Sequence, residues 1–68
     1  MNRNDCEEFL NEFVTVAVPH IILDRPFFIT GILKEVTDRY LKLKIKDGYK
    51  QIFIDDILEI RRDNDSDR

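Results

Sequence analysis

Apolar and polar residues alternate most regularly between Gly31 and Ile60, a segment that reads GILKEVTDRYLKLKIKDGYKQIFIDDILEI. Within it, Tyr40–Lys46 places leucine and isoleucine on one face and three lysines on the other, which is the period-two pattern of a half-buried strand. Asp47-Gly48 is a favoured hairpin dipeptide, and a glycine inside a strand, as at Gly31, commonly marks a sharp bend. The segment therefore predicts a small, strongly bent β-sheet.

The same alternation extends toward the N-terminus and predicts five short strands in all. FVTVAV forms the first strand, which Pro19 ends because proline cannot donate to the next rung of a ladder. The fourth strand, YKQIFI, is broken by Asp55-Asp56, after which ILEIR begins the fifth. The predicted strands span residues 13–18, 27–36, 40–46, 49–54 and 57–61.

The connection between the first two strands, PHIILDRP, is unusual because Ile21 to Leu23 are three consecutive apolar residues in a segment bracketed by prolines. Two interpretations stay open. Either the first strand continues through these residues as an edge strand, or they cover the core or a partner.

A short helix is predicted over about residues 4–12. Asn4 is a good N-cap, and Glu7 follows it at the spacing of a capping box. About nine residues are unstable as an isolated helix, so we expect this one to dock on an open end or face of the sheet. Its apolar stripe, at i, i+3, i+4 and i+7, consists of Cys6, Phe9, Leu10 and Phe13.

The length of 68 residues indicates one domain, over about 1–62, near the size at which a single core is marginal. Cys6 is the only cysteine, so no intrachain disulfide can form, and there is no Cys/His cluster for a structural zinc ion. Oligomerisation is the remaining supplement to that core. The C-terminal residues 63–68 contain no apolar side chain and are expected to form a disordered acidic tail.

Charge and hydropathy exclude several classes of function. The net charge is −3 with 37% charged residues, which argues against non-specific binding to duplex DNA. The N-terminus lacks the basic start and apolar stretch of a signal peptide, and no run approaches the roughly 18 apolar residues of a membrane span. We therefore expect a cytoplasmic protein with no membrane partner.

A helix followed by five short strands, bent at a glycine in the second, resembles the Sm-like fold. The resemblance implies a mainly β protein, with a short N-terminal helix and a five-stranded, strongly bent open SH3-like barrel. Gly31-Ile32-Leu33 and Asp38–Ile45 fit the first family motif, with one extra residue between its halves and Lys42 in place of an asparagine. Ile52–Ile60 keeps the apolar frame and the acid of the second motif, but not its Arg-Gly pair or the Lys-His of the bacterial branch. A generic small barrel is the other interpretation.

The resemblance implies a homo-oligomeric ring of about five to seven copies, in which the fourth strand of one subunit joins the fifth strand of the next. The residues give an independent reason to expect self-association. The fourth strand has apolar residues on both faces, and one monomer core cannot cover both. We predict an oligomer interface that contains Phe53 and either Ile57 or Leu58.

In such a ring, the resemblance places single-stranded RNA near the central pore. Tyr40 falls at the base-stacking position, Asp38 at a loop-orienting acid, and Lys42 where an asparagine would read the base edge. Because lysine is only a donor, base selectivity should be weak. The alternative is a structural or protein-interaction module that binds no RNA. Apart from any ligand, Asp38 is expected to cap its turn, and the lysines at 42, 44 and 46 to form a solvated strand face.

No catalytic constellation is evident. His20 is expected to be a loop residue, and Cys6 a small core residue. The sequence has no phosphate-cradling glycine loop and no metal-ligand spacing. It therefore predicts a protein that is not an enzyme and that has neither a cofactor nor a metal site.

Overall fold

A computed structural model describes residues 1–20 and 22–63 of the chain as a short helix followed by five strands. All the strand pairs are antiparallel, and they form one open sheet in the order β4-β3-β2-β1-β5. The mainly β architecture is confirmed, and β1 and β2 have the predicted bounds. The elements are α1 (Arg3–Glu7), β1 (Phe13–Val18), β2 (Phe27–Val36), β3 (Tyr40–Ile45), β4 (Gly48–Phe53), a 3₁₀ turn (Ile54–Asp56) and β5 (Glu59–Arg62).

Strand β2 packs closely on β3 at Gly31. A Cβ atom at this position would lie 2.6 Å from the carbonyl oxygen of Lys44, a separation that real side chains do not adopt. Between Leu33 and Glu35 the register of β2 against β3 shifts by one residue, a β-bulge that adds local twist. The glycine and the bulge together allow β2, the longest strand, to pair with both β1 and β3.

The β3–β4 hairpin confirms the turn signal, but the turn lies one residue earlier than Asp47-Gly48. Ile45 pairs with Gly48, so the two turn residues are Lys46 and Asp47. Gly48 is the first residue of β4, and its φ of 144° is a conformation that L-residues rarely adopt.

The core lies between one face of the sheet and the end of α1. Among the described residues no polar or charged side chain is buried. Alternate residues of β1 and β3 supply its centre, as the alternation predicted. The core residues are Cys6, Phe9, Val14, Val16, Leu33, Leu41, Leu43, Ile52, Ile54, Ile57 and Ile60.

The predicted bounds and cap of the helix are wrong. Asn2 is the N-cap, because its side chain accepts the Asp5 N–H at 3.1 Å while the Asp5 carboxylate accepts the Asn2 N–H. The helix ends at Glu7 because the chain must turn into β1. Asn11 adopts a φ of 68° there, and its N–H donates to the Leu33 carbonyl at 2.7 Å. Of the predicted stripe, Cys6 and Phe9 are buried, whereas Leu10 and Phe13 are exposed.

The connection between β4 and β5 also differs from the prediction. Strand β4 ends at Phe53 rather than at Ile54, and β5 starts two residues late, at Glu59. The reason is the intervening 3₁₀ turn, which the Ile54 N–H anchors by donating to the Arg39 carbonyl at 2.8 Å. Ile57 closes that turn by donating to Ile54.

The apolar connection does not extend β1, which ends at Val18. Ile22 is 84% exposed and Leu23 is also exposed, so these two residues do not cover the core; Ile21 lies outside the described residues. The predicted tail begins too early, because the Asp63 N–H donates to the Phe13 carbonyl at 2.8 Å. The rest of that predicted tail, 64–68, lies outside the described residues.

Replacing Gly31 by alanine should lower the free energy of unfolding by about 1–3 kcal/mol, because the added methyl group meets backbone rather than a movable side chain. Lys34→Ala, an exposed change in the same strand, should shift it by less than about 0.5 kcal/mol. Urea denaturation followed by circular dichroism measures both. Equal stability of the two variants would contradict the close packing of β2 on β3.

Candidate functional site

The two loops that carry the motif acids meet at one end of the sheet. The hydrogen bond from Ile54 to Arg39 joins the β2–β3 turn to the 3₁₀ turn. Beside this junction lies an open groove of about 450 Å³, lined by Asp38, Arg39, Phe53, Asp55 and Asp56. Three carboxylates face one guanidinium in this lining, so the groove repels phosphate groups more than it attracts them.

The β2–β3 turn is capped by Thr37, so the prediction that Asp38 caps it is wrong. The Thr37 Oγ1 accepts the N–H groups of Arg39 at 3.2 Å and Tyr40 at 3.0 Å, and it donates to the Tyr40 carbonyl at 3.1 Å. A threonine hydroxyl can do this at the first position of a turn as well as an aspartate can. The carboxylate of Asp38 is thereby left to point away from the turn.

Asp38 instead connects the turn to the N-terminal helix. Its carboxylate accepts a hydrogen bond from the Arg3 guanidinium at 3.0 Å, and the same guanidinium bonds Glu7 at 2.8 Å. These bonds to Asp38 and Glu7 raise the pKa of Arg3 above its ordinary value. The acid that the family resemblance places at an RNA site is thus held in an exposed ion pair within the chain.

Tyr40 lies at the start of β3, directly opposite Phe53 of β4. It is half-buried, so one part of the ring packs on the sheet and another part is open to solvent. Its neighbour on the same face of β3, Lys42, stands opposite Gln51 and pairs with Glu35 at 3.5 Å. The structure therefore places Tyr40 at the loop end of the sheet, with Lys42 one step farther from the loops.

The predicted interface residues separate into two environments. Phe53 is 53% exposed and Leu58 is 59% exposed, whereas Ile57 belongs to the core of its own chain. Of the two alternatives in the second position, Leu58 is therefore the one available to a neighbour. Phe53 ends the edge strand β4, and Leu58 immediately precedes the edge strand β5.

Sequence reasoning missed Tyr49, which stands opposite Lys44 on the outer face of the β3–β4 hairpin. The Nζ atoms of Lys44 and Lys42 lie 5.7 Å and 5.9 Å from the centre of the Tyr49 ring. The turn signal in the sequence gives a different register, because a two-residue turn at Asp47-Gly48 would pair Lys46 with Tyr49. Only the turn at Lys46-Asp47 places Lys44 opposite Tyr49.

The remaining reactive side chains serve the fold. Burial raises the pKa of the Cys6 thiol, which disfavours the nucleophilic thiolate. The His20 Nδ1 accepts the N–H groups of Ile22 and Leu23, and its ring packs edge-on against Phe27. Within residues 1–20 and 22–63, no group of three or more His, Cys, Asp or Glu side chains could hold a metal ion. No helix in this same part of the chain has the length and apolar character needed to cross a bilayer.

Comparison with protein-family models, with curated proteins and with solved structures finds no match to this chain. Its function must therefore be inferred from its own residues and geometry. The features available for that inference are the two edge strands, the joined loops and the exposed outer face of the hairpin.

Thr37→Ala should lower the free energy of unfolding by about 1–2 kcal/mol, because two backbone N–H groups lose their acceptor. Asp38→Ala removes only an exposed ion pair and should cost less than about 1 kcal/mol. Thermal or urea unfolding at low and high salt distinguishes the stability effects of the two substitutions. The Asp38 effect should vanish in 1 M salt, and a larger loss at Asp38 than at Thr37 would contradict the assigned cap.

Proposed function

We propose that this chain is the subunit of a homo-oligomeric ring built from Sm-like barrels. The observation that carries the proposal is the exposure of Phe53 and Leu58 beside the two edge strands of the sheet. Strands β4 and β5 each pair with one neighbour only, so each has an unpaired row of backbone groups. Unpaired edges next to exposed apolar side chains favour strand addition between copies.

The two edges differ, so their pairing is a head-to-tail contact, and such contacts close into a ring when the rotation between copies permits it. A groove of about 440 Å³ beside β4 provides an apolar surface for this contact. Its apolar lining consists of Val18, Pro19, Phe27, Ile29, Ile52 and Phe53. In the proposed ring of about five to seven copies, Leu58 of the neighbouring chain enters this groove.

The test is the mass in solution. Light scattering of the wild-type chain should give about five to seven times the chain mass of 8.2 kDa. Leu58→Asp places a charge at the interface and should return the chain to the mass of a monomer. Leu10→Asp is the matched control, because Leu10 is an exposed apolar residue of the connection between α1 and β1 that does not line this groove, and this variant should keep the wild-type mass.

A wild-type monomer at tens of micromolar would contradict the ring and favour an isolated small barrel. A Leu58→Asp variant that keeps the wild-type mass would show that assembly does not use this edge. Circular dichroism of each variant establishes that the sheet is intact, so that a change of mass reports association.

We further propose that the ring binds single-stranded RNA weakly at the joined loops, with a base stacked on Tyr40. The half-buried ring of Tyr40 lies next to the loop junction, which supports this position. The carboxylates of Asp38, Asp55 and Asp56 oppose the phosphates, so the affinity should be low. Lys42 lies one step farther from the loops, opposite Gln51, and should contribute little to binding there.

Tyr40→Ala should weaken binding of labelled oligo-U about tenfold, because a stacked base loses its platform, and Tyr40→Phe should retain the affinity. Fluorescence anisotropy at low salt measures the affinity, and light scattering establishes that the ring persists. If Tyr40→Ala binds as tightly as wild type, the loops are not an RNA site.

An assembly module without RNA binding is the second candidate, and one observation favours it. The end of the sheet formed by the β1–β2 connection exposes Ile22, Leu23, Phe27 and Phe28. Clustered apolar side chains of this kind mark contact surfaces for other proteins. An intact ring with no oligo-U affinity at physiological salt would favour this candidate.

A further inference from the structure

The outer face of the β3–β4 hairpin combines exposed aromatic and cationic groups. We call this surface the lysine–tyrosine face. The antiparallel register brings its members onto one side of the sheet, with Lys44 opposite Tyr49 and Lys42 opposite Gln51. It is built within one chain and consists of Lys42, Lys44, Tyr49 and Gln51.

Tyr49 is the centre of this face. Tyr49 is 61% exposed and lies one position beyond the turn end of β4, in a hairpin whose other side forms the core. The ammonium groups of Lys44 and Lys42 lie 5.7 Å and 5.9 Å from its ring centre, within the range of cation–π attraction. Two positive charges from β3 therefore lie within cation–π range of an exposed aromatic ring.

The charge of this face opposes that of the chain as a whole, which is −3. Lys44 forms no ion pair with any residue in 1–20 or 22–63, and Lys42 has a single long one, at 3.5 Å, to Glu35. Lys46 follows in the adjoining turn and is also exposed. A local excess of positive charge persists here although acids outnumber bases elsewhere.

An exposed ring with two ammonium groups beside it has the chemistry to recognise a base and its neighbouring phosphates. Stacking needs a base whose flat face is uncovered, which a single strand offers and a duplex does not. We propose that the lysine–tyrosine face binds single-stranded nucleic acid, with one base stacked on Tyr49 and flanking phosphates paired with Lys44 and Lys42. An acidic peptide could satisfy the lysines, but it would leave the tyrosine ring without a partner.

This face is separate from the loops where Tyr40 lies. The β4 partners of Tyr40 and Lys44 are four positions apart, which corresponds to about 13 Å of strand. Each subunit carries the whole face, so the inference does not depend on ring formation. Its failure and the failure of the loop site are therefore distinguishable by comparing Tyr49 and Tyr40 variants.

The test is an anisotropy titration of the full chain with labelled 12-nucleotide oligo-U, oligo-dT and a mixed-sequence duplex. Oligo-U should bind, and the duplex should bind at least tenfold more weakly. Tyr49→Ala should weaken oligo-U binding about tenfold, whereas Tyr49→Phe should retain it. Oligo-dT binding as tight as oligo-U binding assigns the contact to base and phosphate alone, and weaker binding assigns part of it to the ribose hydroxyl.

Lys44→Ala and Lys50→Ala form a matched pair, because both lysines are exposed and close in sequence but occupy alternate faces of the hairpin. Lys44→Ala should lower the slope of log affinity against log salt by about 0.7, the value for one phosphate contact of a single strand. Lys50→Ala should leave the slope unchanged.

Three results would overturn the inference. They are wild-type affinity in Tyr49→Ala, equal slope changes in Lys44→Ala and Lys50→Ala, and displacement of oligo-U by polyglutamate at equal charge concentration. Because Tyr49 and Lys44 are exposed, their variants should keep the wild-type circular dichroism spectrum, which makes each loss of affinity interpretable.

Discussion

The close approach of β2 to β3 at Gly31 is the constraint on which the rest of the molecule depends. With no side chain there, the β2 backbone lies against the Lys44 carbonyl, and the bulge after Leu33 adds twist to the same strand. The sheet can then curve around Leu33, Leu41 and Leu43, which are fully buried. The same register turns the alternate residues of β3 outward, so a packing requirement of the core also exposes the lysines.

The open sheet leaves its two edge strands, β4 and β5, each with one unpaired side. In so small a chain, these unpaired edges weigh on the stability of the fold. Cys6 is the only cysteine, so no intrachain disulfide can form, and the core of the described residues consists of apolar side chains. Phe53 and Leu58 hold apolar area that one copy cannot bury. Edge pairing between copies would bury it and satisfy the unpaired backbone groups at once, and the proposed ring follows from that pairing.

The strands were predictable because period-two alternation records which side of the sheet is buried, and β1 and β2 were located to the residue. The helix cap was not, since Asn2 with Asp5 and Asn4 with Glu7 are equally good capping boxes. The bond from Asn11 to Leu33, on a strand distant in sequence, lies where the chain leaves the helix, and no local pattern encodes it. The engagement of Asp38 was not predictable either, because its ion pair with Arg3 spans 35 positions and no local pattern encodes it.

The central claim is that β4 of one copy pairs with β5 of the next, and amide hydrogen exchange tests it most directly. In a concentrated sample, the amides of Gly48–Phe53 and Glu59–Arg62 that point away from the sheet should exchange slowly. On dilution below the concentration at which the assembly dissociates, they should exchange at the rate of open backbone. Fast exchange of both edges at every concentration would contradict the claim.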